Sequence, residues 1–285
     1  ERARAAGAQH RNMSASWRPR GVLLATLYEY AHQSGVPVVK VDTTDDSRIL
    51  ITGGRDGVVK IWNCAALERD VAVASSHTFT VPYCDGANTR RRQRLRALRT
   101  VRDSKAVAIG TESGDVLLHK IEPSRGGATA TQVCRFPASE KHGAIMCIEQ
   151  FDTELESLVV FAQQQGKIQG WDVRSRSPCW SVGRLPPWLG VPNCMALGSD
   201  GHAITAGTLG GGLLVYDLRF LAPWKQWKVS AGAAVLALRS ADFGALSPGV
   251  FAALGGDANE VALFDMARGS CMTLFLTEPV SDRQK

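Results

Sequence analysis

The residues of this chain that could do chemistry are few and do not converge. The glycine run Gly207-Thr208-Leu209-Gly210-Gly211-Gly212 has the freedom to cradle a phosphate, but no lysine or helix start follows it. There is no GxxxxGK[ST] loop, no HExxH pair and no GxSxG elbow. The six histidines are dispersed, and His119 reads as a packed residue rather than a base. Asp45-Asp46, and Glu154 with Glu156, read as solvated loop tips; nothing around them would split their pKa values into an acid and a base. The seven cysteines are odd in number and none sit at CxxC spacing. That argues against both a zinc site and a disulfide framework, and leaves reduced thiols, with Cys147 and Cys194 acting as small hydrophobes in apolar runs. No cofactor, metal or catalytic residue is expected.

Binding chemistry has two candidate sources. One is a basic cluster, Arg90, Arg91, Arg92, Arg94, Arg96, Arg99 and Arg102, which holds much of the net charge of +6. No aromatic residues interleave with it as base stacking would require, so no nucleic-acid partner is expected. It reads as a solvated loop entering a strand, or as a contact for an acidic partner or acidic membrane surface. The other is the set Trp180, Trp188, Trp224 and Trp227 with Pro186-Pro187, either an exposed aromatic patch or the packing of outer strands and loops.

Both sources hang on a repeat. Trp62, His119, Trp171, Tyr216 and Phe264 stand 57, 52, 45 and 48 residues apart. Five places before each stand Gly57, Gly114, Gly166, Gly211 and Asn259, residue types that enter positive φ most easily. Three places before stand Val59, Val116, Ile168, Leu213 and Val261, all aliphatic, as a strand interior prefers. Nine places before stand Gly53, Gly110, Ala162, Gly207 and Gly255, all small, which suggests a close approach of backbone to backbone.

Short apolar runs precede each small residue: Ile49–Ile51, Ala106–Ile109, Leu158–Phe161, Ala203–Ala206 and Val250–Leu254. A further one lies upstream of each: Val36–Val41, Leu95–Leu98, Ile145–Ile148, Cys194–Leu197 and Val235–Leu238. Their length and their turn-forming borders favour strands. Each unit therefore reads as three strands, with room for a fourth in the linking stretch. Several strands, such as Val116-Leu117-Leu118 and Leu213-Leu214-Val215, are apolar on both sides, as in a sheet covered on both faces. Antiparallel sheets repeating every 40–50 residues or so achieve this by stacking radially in a β-propeller. No amphipathic helices separate the strands, which excludes a TIM barrel or Rossmann sheet.

With 285 residues, 45% apolar and 21% charged, the chain is not disordered as a whole. Its longest apolar runs are too short to span a bilayer as a helix. The chain opens with Glu1, and its polar, Arg-rich start has no apolar signal core, so it reads as an internal fragment of a longer polypeptide.

Trp171-Asp172 is a WD dipeptide, Tyr216-Asp217 and Phe264-Asp265 are conservative versions, Trp62-Asn63 is near, and His119-Lys120 departs most. Asp56 suits the turn before Gly57. Over roughly residues 17–275 the chain resembles the WD40 propeller family, although the Gly-His dipeptide before each first strand is missing, so the buried His–Asp network is expected to be absent from most blades. A narrower resemblance rests on Trp17-Arg18-Pro19-Arg20-Gly21 with Leu23, Ala25, Leu27 and Glu29, then Asp56–Asn63, Gly170–Ser175, Asp217-Leu218-Arg219-Phe220 and Asn259-Glu260-Val261. In order and spacing these are similar to the C-terminal WD40 propeller of the protein-kinase-like regulatory subunit of class III phosphatidylinositol 3-kinase.

That resemblance implies a seven-bladed ring of which five repeats are visible, an all-β chain forming an incomplete part. Residues 1–16 would be a disordered leader or linker, 17–31 the strand closing the last blade, and 32–285 about five WD40 blades. It also implies a non-catalytic scaffold, with a serine/threonine protein-kinase-like domain elsewhere in the parent. The implied partners are the lipid kinase catalytic subunit and a Beclin-type coiled-coil protein, in autophagy and endosomal or vacuolar sorting, at a cytoplasmic location peripheral to endosomal or autophagic membranes. The blade anchors would be Trp62, His119, Trp171, Tyr216, Phe264, Gly57, Gly114, Gly166, Gly211 and Asn259. The candidate partner or lipid contacts are Arg90, Arg91, Arg92, Arg94, Trp188, Trp224 and Trp227. The alternative is an unrelated WD40 adaptor in ubiquitin ligation or RNA processing. With blades missing, the fragment is expected to expose apolar sheet faces and to aggregate when isolated.

Overall fold

The structure is a computed structural model. It describes residues 26–27, 38–43, 49–63, 72–73, 75, 77–81, 93–101, 105–124, 127–137, 140–152, 157–198, 201–228, 233–242, 248–254, 260–265 and 270–276. The leader 1–16, the lead-in Trp17–Glu29 apart from Thr26 and Leu27, and Arg90, Arg91, Arg92, Gly255 and Asn259 lie outside them.

The described strands form five four-stranded antiparallel sheets. After β1 (Thr26–Leu27), the first blade is built from β2 (Val38–Thr43), β3 (Ile49–Gly54), β4 (Val58–Asn63) and β6 (His77–Thr80). The intervening β5 (Ala72–Val73) pairs in parallel with β1. The second blade is β7 (Leu95–Val101), β8 (Ala106–Thr111), β9 (Asp115–Ser124) and β10 (Gly127–Pro137). The third is β11 (Ile145–Asp152), β12 (Ser157–Gln163), β13 (Ile168–Asp172) and β14 (Ser177–Val182). The fourth is β15 (Pro192–Leu197), β16 (Ala203–Thr208), β17 (Gly212–Asp217) and β18 (Ala222–Lys228). The fifth is β19 (Val235–Asp242), β20 (Pro248–Leu254), β21 (Glu260–Asp265) and β22 (Ser270–Leu276). Among the described residues the only helical segments are 3-10 turns at Glu140–His142 and Pro187–Leu189. The fourth strand for which the sequence left room is present in every blade.

The first strands line up side by side: β2 touches β7, β7 touches β11, β11 touches β15 and β15 touches β19. They form the inner wall of the array, and the fourth strands form its outside. The core is split into layers between neighbouring blades. In β8, Val107 and Ile109 pack towards the first blade while Ala106 and Ala108 pack towards the third. In β12, Val159 and Phe161 face the second blade, and Leu158, Val160 and Ala162 the fourth. Alternation is present, but both faces are buried, so the sequence shows an unbroken apolar run. Each such Val, Leu, Ile or Phe side chain stabilises the array by roughly 1.5–3 kcal/mol through removal from water.

Gly57, Gly114, Gly166 and Gly211 all have φ between 75° and 94° and turn the hairpin between second and third strands. At the first of these turns Asp56 Oδ1 accepts a 3.1 Å bond from Val58 N. At Gly53, Gly110 and Gly207 the small residue admits side chains of the next blade's inner strand, where the sequence suggested an approach of backbone to backbone. A Cβ on Gly110 would lie 2.5 Å from Ile145 Cγ2, and one on Gly207 2.6 Å from Val235 Cγ1. Gly53 similarly faces Leu95 and Leu98. In the fifth blade the residue paired with Val261 is Ala253, where pairing in the other blades gives Gly53, Gly110, Ala162 and Gly207. Ala253 stands eight residues before its partner Val261, where the corresponding residues of the other blades stand six before theirs.

One feature repeats in every blade with no sequence signature. The register slips by one residue near the start of each inner strand, at Val38/Lys40, Leu95/Ala97, Ile145/Cys147, Pro192/Cys194 and Val235/Ala237. These β-bulges lie beside the small residue of the second strand, where they add twist at the inner wall.

Gly110→Ala is expected to destabilise the chain by about 1–3 kcal/mol through overpacking against Ile145. Gly183→Ala, where an added Cβ meets nothing within 4 Å, serves as the control. Urea titration should show a lower midpoint at unchanged slope for the first and a change within about 0.5 kcal/mol for the second.

Candidate interaction surface

Four of the five anchors, His119, Trp171, Tyr216 and Phe264, face the blade before their own and meet it at or just beyond its outer strand. His119 on β9 stacks on Phe79 of β6, with ring centroids 4.7 Å apart. Trp171 on β13 tilts against Phe136 of β10 at 4.9 Å. Phe264 on β21 lies 6.5 Å from Trp227 of β18. Tyr216 on β17 donates from its hydroxyl to Gly183 O, just beyond β14, at 3.0 Å. Trp62, fully buried, donates from Nε1 to Thr52 Oγ1 within its own blade at 3.0 Å. Aromatic pairs of this kind add about 0.5–1.5 kcal/mol to the area they bury.

The outer-strand partners Phe79 and Phe136 escape a reading of the sequence because the hairpin before them varies in length. Pairing places Phe79, Phe136, Trp227 and Phe275 opposite the aliphatic residues Val59, Val116, Leu213 and Val261. The signal is an aromatic residue at a fixed pairing position rather than at a fixed sequence offset.

The Asp residues after the anchors serve their own turns. Asp172 Oδ1 accepts from Arg174 N at 2.8 Å and Asp217 Oδ1 from Arg219 N at 2.9 Å. The Arg219 side chain holds the Asp217 carboxyl down at about 2. Four residues beyond each Asp the chain takes positive φ without glycine, at Arg176 (54°) and Leu221 (51°). The inner wall carries a separate ionic tie. Glu149 on β11 lies 3.3 Å from Arg99 Nε on β7 and 3.8 Å from Arg239 NH1 on β19, so charge links three blades.

The connections fall at two ends. In a four-stranded meander, the hairpins between second and third strands share one end with the linkers to the next blade, and the other hairpins share the opposite end. Arg94, in the linker to β7, and Trp188, in the 3-10 turn before β15, therefore lie at the same end. Arg94 is exposed and stands 3.8 Å from Glu112, whose other oxygen faces Arg96 at 3.2 Å. Trp188 is 59% exposed. Trp224, on the outer strand β18, is half exposed with Lys225 Nζ 4.6 Å above its ring, and Trp227 is turned inward onto Phe264. The structure thus puts Arg94 and Trp188 at one end, Trp224 on the exposed side of an outer strand and Trp227 in an interblade layer. Residues that the sequence reading passed over join the Trp188 end: Lys141, Lys167, Arg184, Leu209 and Leu236.

Nothing in this geometry assembles a catalytic centre. Among the described residues no three His, Cys, Asp or Glu side chains are placed to hold a metal ion. Burial pushes Tyr216 up to about 12 and His119 down to about 4. His119 is therefore a neutral ring in an interblade layer, with its Nδ1 buried and lacking a hydrogen-bond partner.

Comparison with known proteins agrees with the fold. The WD40 family, described as WD domain, G-beta repeat, matches residues 15–63. Over 270 residues the chain is 26% identical to "Serine/threonine-protein kinase VPS15" of Arabidopsis thaliana, an alignment covering 90% of this chain and 17% of that protein. It is 24% identical over 225 residues to "Probable serine/threonine-protein kinase vps15" of Dictyostelium discoideum, covering 77% of this chain and 11% of that one. It is 22% identical over 280 residues to "Putative serine/threonine-protein kinase VPS15" of Komagataella pastoris, covering 93% and 20%. The chain thus spans a fifth or less of the length of these relatives. Among solved structures, a chain of "Crystal Structure of Mitotic Checkpoint Complex" superposes with a TM-score of 0.60 over 86% of this chain and 65% of that chain, at 13% identity, a likeness of fold.

The buried His119 yields a pH test. A histidine whose folded pKa lies below its unfolded value of 6.5 contributes full stability above that value and loses it as pH falls towards about 4. At 1.36 kcal/mol per pKa unit, moving from pH 7 to pH 5 should cost about 2 kcal/mol through this residue. His119→Phe should flatten that dependence in urea titrations at the two pH values; an unchanged pH dependence would show that His119 is not the titrating group.

Proposed function

We propose that this WD40 propeller, whose curated relatives are VPS15 serine/threonine-protein kinases, is the non-catalytic scaffold of a VPS15-like regulatory subunit in a class III phosphatidylinositol 3-kinase complex. The observation that carries the reading is the alignment with the Arabidopsis protein over 90% of the chain, coinciding with five registered blades. Kinase chemistry, on this reading, belongs to parts of the parent outside these residues. The blades supply what a scaffold needs. Their faces are used up in packing on one another, and their loops are displayed from a frame that need not move.

The partners proposed are the lipid kinase catalytic subunit and a Beclin-type coiled-coil protein, and the setting is autophagy and endosomal or vacuolar sorting at the cytoplasmic side of those membranes. The five blades are read as part of a seven-bladed ring, with Thr26–Leu27 within the strand that closes the last blade. Resemblance in order and spacing to that subunit supports both points. An unrelated WD40 adaptor would share the blades but not the lipid kinase.

The full-length parent, tagged and purified from its own cells, should bring down phosphatidylinositol 3-kinase activity and a coiled-coil subunit. Deletion of residues 32–285 should reduce both recoveries at least tenfold while leaving the remainder of the protein expressed. Undiminished recovery after the deletion, or no lipid kinase activity with the intact protein, would refute the assignment.

A further inference from the structure

At the Trp188 end of the third and fourth blades, loops distant in sequence interlock into one surface. Gln165 N donates to His142 O at 3.1 Å, joining the Glu140–His142 turn to the β12–β13 hairpin. Leu185 N donates to Gly166 O at 3.0 Å, joining that hairpin to the linker that follows β14. Leu209 N donates to Val191 O at 2.9 Å, bringing the β16–β17 hairpin onto the same linker. Asn193 Nδ2 donates to Val235 O at 2.9 Å, which sets the bulge residue Leu236 beside it.

This stacking gathers two kinds of side chain. Lys141, Lys167 and Arg184 come from three separate loops and surround His142, whose ring nitrogen lies 3.2 Å from an Arg184 guanidinium nitrogen. Burial first, then the charges of Lys167, Arg184 and Lys141, hold His142 below its usual pKa. Among the described residues none of the three pairs with a carboxylate. Of the carboxylates at this end whose side chains are described, Glu112 is engaged by Arg94 and Arg96, Asp115 by Arg135 at 2.7 Å, and Asp56 by backbone. At the same end stand three exposed apolar side chains, Trp188 (59%), Leu209 (46%) and Leu236 (54%).

We propose that this end of the array is a docking surface for an anionic lipid membrane, with Lys141, Lys167 and Arg184 as its electrostatic contact and Trp188, Leu209 and Leu236 as interfacial anchors. The shape favours lipid over a protein partner. Trp188 sits at the apex of a turn that follows two prolines, and Leu209 sits at a hairpin tip, so the anchors project rather than line a groove. Exposed Trp and Leu side chains at the same end as cations with no carboxylate partner among the described residues suit the boundary between headgroups and acyl chains. Each cation near such a surface adds attraction that is screened by salt. The proposal deepens the membrane-peripheral part of the function proposed above and does not depend on which subunits the propeller binds.

The test is flotation of the full-length parent with phosphatidylcholine vesicles, with and without phosphatidylserine; flotation separates vesicle-bound protein from any aggregate, which sediments. Binding is expected only with phosphatidylserine and should fall as salt is raised. Lys141→Ala with Lys167→Ala and Arg184→Ala should lower vesicle affinity by roughly a hundredfold. Trp188→Ala with Leu209→Ser should lower it on its own and abolish any vesicle-induced blue shift of tryptophan emission from Trp188. Absence of flotation for the unaltered protein, or flotation unaffected by the triple change, overturns the proposal. Loss of lipid kinase recovery with the triple change while flotation persists also overturns it and makes the surface a protein interface. Retained lipid kinase recovery with lost flotation supports it, and leaves the scaffold assignment to its own test.

Discussion

Everything in this structure depends on sheets that cannot exist alone. Each blade has apolar side chains on both faces, so each must be covered twice, and only a neighbour of the same shape does this repeatedly. Neighbours meet near the axis where a side chain of one inner strand enters the space left by a missing side chain in the blade before, as Ile145 does at Gly110 and Val235 at Gly207. Close packing has little tolerance for an added methyl at such points. The spacing of the blades near the axis is therefore set by the size of one residue per repeat.

From that inner contact the rest follows outward. The bulge beside each small residue turns the inner strand, and in the fourth blade it frees Asn193 to bond the next blade's backbone. Glu149 then ties the second, third and fifth blades by charge. Farther out, His119, Trp171 and Phe264 reach back to the outer strand of the preceding blade through aromatic contacts, and Tyr216 reaches the residue just beyond it through a hydroxyl bond. Packing runs forward at the axis and backward at the rim. A frame fixed at both radii leaves its loops at the two ends free for recognition, which suits a scaffold better than an enzyme that must close on a substrate.

Much of this was legible in the residues. Gly57, Gly114, Gly166 and Gly211 reveal the hairpins because positive φ leaves few choices of residue. Runs such as Val116–Leu118 reveal a sheet covered on both faces. Other features could not be read. The bulge residues Val39, Arg96, Met146, Asn193 and Leu236 share no chemistry, because a bulge is a demand on register and not on residue type. In the fifth blade the partner of Val261 is Ala253, a pairing that a fixed sequence offset does not reach. The candidate surface was hardest. Lys141, Lys167 and Arg184 become neighbours only through the stacking of three loops, whereas the conspicuous arginine run drew attention by sequence proximity alone. Of that run, Arg94, Arg96 and Arg99 are paired with Glu112 or Glu149.

The most direct measurement of the packing claim is a double-mutant cycle between Gly207 and Val235, residues of successive blades. Gly207→Ala places a methyl 2.6 Å from Val235 Cγ1, an atom that Val235→Ala removes. If the blades are spaced by this contact, the double variant is less destabilised than the sum of the single variants by roughly 0.5–3 kcal/mol in urea unfolding. Additivity within about 0.5 kcal/mol would mean that the two residues do not touch, and would contradict the blade-on-blade architecture.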